Sequence, residues 1–166
     1  MPGFTRTVQI PRPPAEVFEF ATDLKMVTRW MPAIVRVEPV SEGAMRPGWK
    51  FRETRRMGKR EGSAIIEVSE HRGPAQGDPP YVHAGRSKAM GFDCQYLYTF
   101  TPEGDGTRID LDATVRGTNP LSRLFAGKMA RFMEKQDGDQ LKALGTSIIA
   151  AAPTETRSSQ ARSSAE

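Results

Sequence analysis

The stretch that decides the fold runs from Asn119 to Thr146 and reads NPLSRLFAGKMARFMEKQDGDQLKALGT. Asn119 is suited to cap free backbone N–H groups, and Pro120 at the first helical position gives up no needed donor. Apolar residues follow at Leu121, Leu124, Phe125, Met129, Phe132 and Met133, the three-and-four spacing of one helical face. Such a helix would be on the order of 40 Å long, enough to cross a small sheet. Its apolar face is read as continuous through Met133. The next positions on that face are polar: Gln136, Asp137 and Gln140 stand where apolar residues are expected, and Gly138 weakens the helix by roughly 1 kcal/mol relative to alanine. A solvated helix end is the simpler account of Glu134 to Gln140; a bend or a polar cavity wall is the alternative.

Working outward, the segments before this helix have the two-residue period of strands. Phe4, Val8 and Ile10 alternate with Thr5, Thr7 and Gln9, with Arg6 an exception on the apolar face. Pro13-Pro14 opens a short helix with Val17, Phe18, Phe20 and Ala21 on its apolar side, and a second runs from Asp23 to Trp30. Strands follow at Ile34 to Val40 and Trp49 to Met57. Gly58 marks a hairpin turn, and Ala64, Ile66 and Val68 mark the apolar side of the returning strand. RGPAQGDPP, from Arg72 to Pro80, is a loop. Val82, Ala84 and Arg86 define a fifth strand. Phe92, Cys94, Tyr96, Tyr98 and Phe100 define a sixth, and Ile109, Leu111, Ala113 and Val115 a seventh after the turn at Glu103 to Gly106. One polar and one apolar face on consecutive strands imply an antiparallel sheet wet on one side. The chain order is strand, two helices, six strands, long helix, and a sheet must bury its apolar face against that helix.

Length and composition bound the rest. One domain is expected over residues 1–150, with the Ser-, Thr-, Ala- and Arg-rich segment 151–166 left as a disordered tail. The 24 basic and 20 acidic residues give a formal charge of +4. Arg157 and Arg162 balance Glu155 and Glu166 in the tail, so the excess belongs to residues 1–150. That mildly favours anionic ligands, acidic partners or anionic membranes and does not argue for nucleic acid. A single cysteine, Cys94, excludes an internal disulfide, and two histidines cannot make a Cys/His zinc site. Cytoplasmic location is the expectation, since residues 1–10 alternate instead of forming a signal-peptide core and no run nears the roughly 20 apolar residues of a membrane span. No phosphate loop, dinucleotide fingerprint or serine-nucleophile elbow is present, so no metal and no cofactor are expected.

Several local signatures stand in a telling order. These are Pro14-Ala15-Glu16-Val17-Phe18-Glu19-Phe20, then Asp23, then Trp30-Met31-Pro32 leading into Val35-Arg36-Val37, then Gly48 at a strand start, then Val68-Ser69-Glu70 and Gly106-Thr107-Arg108. Over roughly residues 4–148 the chain resembles the START-related superfamily of polyketide cyclases/dehydrases and lipid-transport proteins (SRPBCC). The resemblance implies an α+β helix-grip fold, with a seven-stranded antiparallel sheet curved around a long C-terminal helix and two short helices after strand 1. It also implies a cavity between sheet and helix, where many relatives hold lipids, quinones, hormones or polyketides. No catalytic residue is carried over by the resemblance.

The candidate ligand-binding residues are Phe51, Ile66, Tyr96, Tyr98 and Leu111 from the strands and Phe125, Met129, Phe132 and Met133 from the helix. Tyr96 and Tyr98 bring hydroxyls to an apolar face and need partners, from a ligand or from the protein itself. The helical set is equally what core packing requires. Glu53, Arg55 and Arg86 share an inferred inward face, where isolated charge is costly, and exposure at the sheet edge is the expectation. Lys50, Arg52, Arg55, Arg56, Lys59 and Arg60 place six cations in eleven residues. A solvated hairpin explains them most simply, and an acidic partner or membrane surface is the sharper alternative. Cys94 lies in an apolar alternation that suppresses thiol reactivity, and His71 and His83 have no recognisable catalytic partner.

The first expectation is therefore binding or transport of a small hydrophobic or amphipathic ligand, lipid, quinone or polyketide-like, in an internal cavity. The second is a cyclase/dehydrase-type enzyme using the cavity tyrosines or a carboxylate such as Glu53.

Overall fold

A computed structural model describes residues 1–151, so the disorder expected of the tail lies, beyond Ala151, outside the described residues. The chain forms β1 (Gly3–Ile10), α1 (Pro14–Thr22), α2 (Val27–Trp30), β2 (Ile34–Pro39), β3 (Lys50–Met57), β4 (Arg60–Arg72), β5 (Tyr81–Ala89), β6 (Phe92–Glu103), β7 (Gly106–Gly117), α3 (Pro120–Asp137) and α4 (Gln140–Ala150). The strands make one seven-stranded antiparallel sheet in the order β1-β7-β6-β5-β4-β3-β2. Strands β2 to β7 follow one another as a meander, with tight turns at β3–β4, β5–β6 and β6–β7 and longer loops at β2–β3 and β4–β5, and α1 and α2 carry the chain from one edge strand, β1, to the other, β2. The last strand then pairs with the first, Phe4 opposite Ala113 and Ile10 opposite Thr107.

Asn119 starts α3 as its sequence implies: its side-chain oxygen accepts from the Ser122 N–H at 2.8 Å, and the Ser122 hydroxyl accepts from the Asn119 N–H at 3.1 Å. The buried face of α3, however, is not the one with the largest apolar residues. Ser122, Ala126 and Ala130 face the sheet, while Leu121, Leu124 and Phe125 point outward. Small side chains let the helix lie close on β7, where Ala126 and Ala130 meet Val115. At Gly117 a Cβ would stand 2.2 Å from the Arg123 backbone nitrogen, so the β7–α3 junction requires glycine. The apolar wall expected from Leu121 through Met133 is thus corrected: its first half is exposed, and only Met129 and Met133 turn partly inward.

The polar interruption is also not a solvated end. The helix breaks between Asp137 and Gln140, and both flanking side chains are sunk to 2% exposure. A straight 28-residue helix cannot put both on the sheet side and still seat Leu141, Leu144 and Ile148 in the core; the break at Gly138-Asp139 resets the phase.

The main core lies where α1, α2 and α4 cover β1, β7 and β6: Val17, Phe18, Trp30, Phe100, Ile109, Leu111, Leu141, Leu144 and Ile148 pack there. A separate cluster of Trp49, Phe51 and Val68 closes the β3–β4 end. On β5 the inward residues are Tyr81, His83, Gly85 and Ser87, which stand opposite inward-facing Phe100, Tyr98, Tyr96 and Cys94. The inferred phase, with Val82, Ala84 and Arg86 on the inner face, is therefore reversed, and Arg86 is exposed as expected, though on an interior strand and not at a sheet edge. Arg86 lies on the outer face and pairs with Asp93 there. Arg6 does face inward, as its position requires, and resolves the conflict by reaching Glu134 on α3 at 2.7 Å.

Candidate functional site

Between the inner face of β3–β6 and the side of α3 is a pocket of about 300 Å³. Its origin is legible residue by residue. Gly62 and Ala64 on β4, Gly85 and Ser87 on β5, and Cys94 on β6 are small, so the sheet's own cover there is thin, with Met57 leaning over Gly62 and Ile66 over Gly85. Larger side chains frame that patch: Phe51 and Ile66 on one side, Tyr96, Tyr98 and Trp30 on another, and Met129, Phe132 and Met133 from α3. Seven of the nine expected residues therefore surround one pocket. Leu111 does not; it is 1% exposed inside the main core, one strand too far toward β1. Phe125 does not either, because it sits on the outward side of α3.

The polar wall of the pocket is a cluster the strand pattern only half disclosed. Arg55, opposite Gly62 in register, points inward beside Glu53. Its Nε donates to Glu53 in a short ion pair, and its Nη1 donates to Asp137 Oδ2 at 2.6 Å. The Tyr96 hydroxyl donates to the same Asp137 oxygen at 2.6 Å. Both Glu53 and Asp137 are buried, which corrects the expectation that Glu53 and Arg55 are exposed at the sheet edge. Desolvation alone would make a lone inward Arg55 untenable; two carboxyl partners make it stable. Asp137 is the partner that sequence reasoning did not assign. The signal for it was phase: an acidic residue at the exact repeat of a buried helical face, in a chain with an unpaired inward arginine on a strand.

Burial tends to lower the pKa of Arg55, but the facing Glu53 and Asp137 outweigh it and the guanidinium is held more firmly protonated. Burial, then the nearby Asp137, pushes both Tyr96 and Tyr98 well above the usual phenol range. Both therefore keep their protons at neutral pH and serve as hydrogen-bond donors, not bases. Cys94 is pushed up to about 11 by burial and by Asp93, so it is a thiol and not a nucleophilic thiolate. Beside Tyr98 lies the Gln140 amide; neither of its buried polar atoms makes a hydrogen bond of regular geometry among the described residues.

At the inner end, a bulge between Val68 and Glu70 shifts β4 by one residue and turns His71 toward His83. Their Nδ1 atoms are 3.1 Å apart, and His71 packs on the Phe18 ring at 5.2 Å. Burial, and then the neighbouring His71, lowers the His83 pKa to about 3, while burial lowers that of His71. The unfolded chain takes up these protons near the ordinary value of 6.5. Stability is thus complete above that pH and is lost as pH falls below it, with a slope of up to about 1.4 kcal/mol per pH unit from His83 alone. Urea midpoints measured from pH 7 to pH 5 should decline, and His83→Gln should flatten the decline; a wild-type midpoint level across that range would contradict the buried pair.

Among the described residues no group of three or more His, Cys, Asp or Glu side chains is placed to hold a metal ion, and no helix is long and apolar enough to cross a membrane.

A seven-stranded antiparallel sheet gripping a C-terminal helical segment, with a pocket between, defines a helix-grip protein. The profile of the family described as polyketide cyclase/dehydrase and lipid transport matches residues 1–148, and the chain belongs to that family. Solved structures agree on the fold. A protein from Thermus thermophilus superposes with a TM-score of 0.71 at 23% identity, covering 91% of this chain and 99% of the other. The ZhuI aromatase/cyclase of a Streptomyces species gives 0.69 at 17% identity, covering 91% and 95%. The di-domain ARO/CYC BexL gives 0.69 at 14% identity, covering 90% of this chain and 47% of its own. No curated protein sequence matches significantly.

Proposed function

We propose that this protein binds a small, neutral, aromatic or amphipathic molecule in the pocket, with the molecule's polar end against Tyr96 and Tyr98. The observation that carries this is the contrast between walls: Phe51, Ile66, Met129, Phe132 and Met133 are apolar, and polar groups converge on the opposite side. Volume narrows the class. At about 300 Å³ the pocket is at the small end of ligand sites, which suits a quinone- or polyketide-like ring system and is too small for a two-chain lipid. Charge narrows it further. Arg55 is already engaged by two carboxyl groups, so it offers no free cation to a ligand carboxylate. A ligand carbonyl or hydroxyl is better matched: the Tyr98 phenol holds a proton to donate, and the Tyr96 oxygen, whose own proton goes to Asp137, can accept from a ligand hydroxyl.

Protein extracted with organic solvent and titrated with a neutral fluorophore such as Nile red should bind one equivalent with saturation. A neutral naphthol should displace it better than a fatty acid of similar size. Absence of saturable binding, or preference for the fatty acid, would overturn the reading.

The Arg55–Asp137–Tyr96 chain favours one further reading, a cyclase/dehydrase-type enzyme in which the Tyr96 hydroxyl turns its proton from Asp137 to a substrate carbonyl. Such chemistry also needs a proton acceptor. The carboxyl groups of Glu53 and Asp137 are tied to Arg55, and His83 holds a proton too weakly to be an effective base at neutral pH. Binding is therefore the primary reading. Turnover of a poly-β-ketone that Tyr96→Phe abolishes without loss of naphthol binding would reverse that order.

A further inference from the structure

The outward face of α3 is what the pocket does not explain. Leu121, Leu124, Phe125 and Phe132 are all exposed, Leu124 to 77%, and they fall on one helical stripe with Lys128 and Lys135. The Lys128 ammonium sits 5.4 Å from the centre of the Phe125 ring, so charge and apolar surface are interleaved and not segregated. A water-facing helix of a monomer has no reason to expose four large apolar residues in a row. The only carboxylates on α3 are turned elsewhere, Glu134 to Arg6 and Asp137 into the pocket.

This stripe borders the pocket mouth. Phe132 belongs both to the stripe and to the pocket lining, as Met57 and Met90 do from the other side. Met90 is 72% exposed at the tip of the β5–β6 turn, with a positive φ of 50° that its side chain does not favour. Lys59 and Arg60 stand exposed at the β3–β4 tip, and Arg56 and Lys88 stand exposed beside these tips on the outer face of the sheet, with the exposed carboxylate of Glu61 next to Arg56. The mouth is therefore ringed by projecting apolar side chains with a surplus of cations beside them.

We propose that this rim docks on an anionic lipid bilayer, with α3 lying in the interface plane and Met57, Met90, Phe125 and Phe132 entering the headgroup–acyl boundary. The chemistry is complementary on both counts. Apolar tips gain by leaving water, and each cation near an anionic surface adds about 1 kcal/mol. A second copy of the chain is a poorer occupant, because pairing two such rims would bring Lys59, Lys88, Lys128 and Lys135 against their own likenesses. Nucleic acid would match the cations and leave the apolar stripe in water. Docked this way, the mouth opens onto the bilayer, and an apolar molecule passes between membrane and pocket without crossing water. That passage rests on the binding role proposed above; the docking does not.

Cosedimentation with vesicles of phosphatidylcholine alone, and of phosphatidylcholine mixed with phosphatidylglycerol, tests the proposal. Binding to the mixed vesicles, reduced by added salt and small on phosphatidylcholine alone, is expected. The double variant Leu124→Glu and Phe125→Glu changes only exposed side chains and should bind the mixed vesicles at least ~10-fold more weakly. Its Nile red titration in solution should be unchanged, which separates failure of docking from failure of the pocket reading. Wild-type protein that stays in the supernatant, or a double variant that sediments as wild type does, would overturn the proposal. So would a vesicle-free wild-type dimer that the double variant cannot form, since that outcome assigns the stripe to a second copy.

Discussion

Replacing Arg55 by methionine is expected to cost the fold about 3–5 kcal/mol, the range for removing one partner from a buried ion pair. The reason is what remains. Glu53 and Asp137, both buried, would face an apolar side chain where each now meets a guanidinium, and Asp137 would keep only the Tyr96 hydroxyl. The loss should appear as a lower urea midpoint at unchanged slope. Removing the carboxyl groups as well, with Glu53→Gln and Asp137→Asn, should restore a substantial part of it, since isolated charge, not lost packing, dominates the penalty. Arg86→Met makes a useful contrast. Arg86 itself is exposed on the outer face and has only the one carboxyl partner, Asp93, so the loss there should be smaller. If Arg55→Met cost no more than Arg86→Met, the cluster would be solvated and the polar wall of the pocket misassigned.

Replacing Ser87 by tryptophan is expected to abolish ligand binding while leaving the fold intact. Ser87 is on the inner face of β5, with Ile66 on one side and Cys94 on the other in register and Gly85 two residues along the strand. An indole there projects into empty space and occupies volume that a ligand would need. Overpacking normally costs about 1–3 kcal/mol because a filled core must move aside, and an existing void relieves most of that. A fall in Nile red affinity of ~100-fold or more with little change in the urea midpoint is the expected pair of results. Large destabilisation with retained binding would mean that the space is filled in solution and the probe binds elsewhere.

Much of this was legible in the sequence. Alternation and turn residues placed all seven strands and the first short helix, because an antiparallel meander with one wet face writes its period directly into the chain; the second helix is shorter than read, starting at Val27, and Asp23 ends the first helix instead of capping the second. The helical segment was harder for a physical reason. Large apolar residues ordinarily mark a helix's buried face, whereas Ser122, Ala126 and Ala130 mark it here, since close approach to β7 at Gly117 selects small side chains. The outward Leu121, Leu124 and Phe125 then read as core when they are surface. β5 was misphased because its inner positions, His83, Gly85 and Ser87, are not apolar; they line a void instead of filling one. The same logic hid the pocket, whose signature is a block of small residues on adjacent strands that comes together only once the register is known. Asp137 was visible as an interruption and invisible as a partner, because Arg55 lies 82 positions away and only the fold brings the two together.

The central claim is that the space between β3–β6 and α3 holds a neutral ligand against Tyr96 and Tyr98. Chemical-shift mapping of isotopically labelled, solvent-extracted protein titrated with a neutral naphthol tests it most directly. The account predicts saturable shifts, one equivalent per chain, concentrated at Ile66, Ser87, Cys94, Tyr96, Tyr98 and Met129 and absent in Ser87→Trp. Shifts that fail to saturate, or that gather on Leu121, Leu124 and Phe125 and leave the tyrosines unmoved, would contradict it.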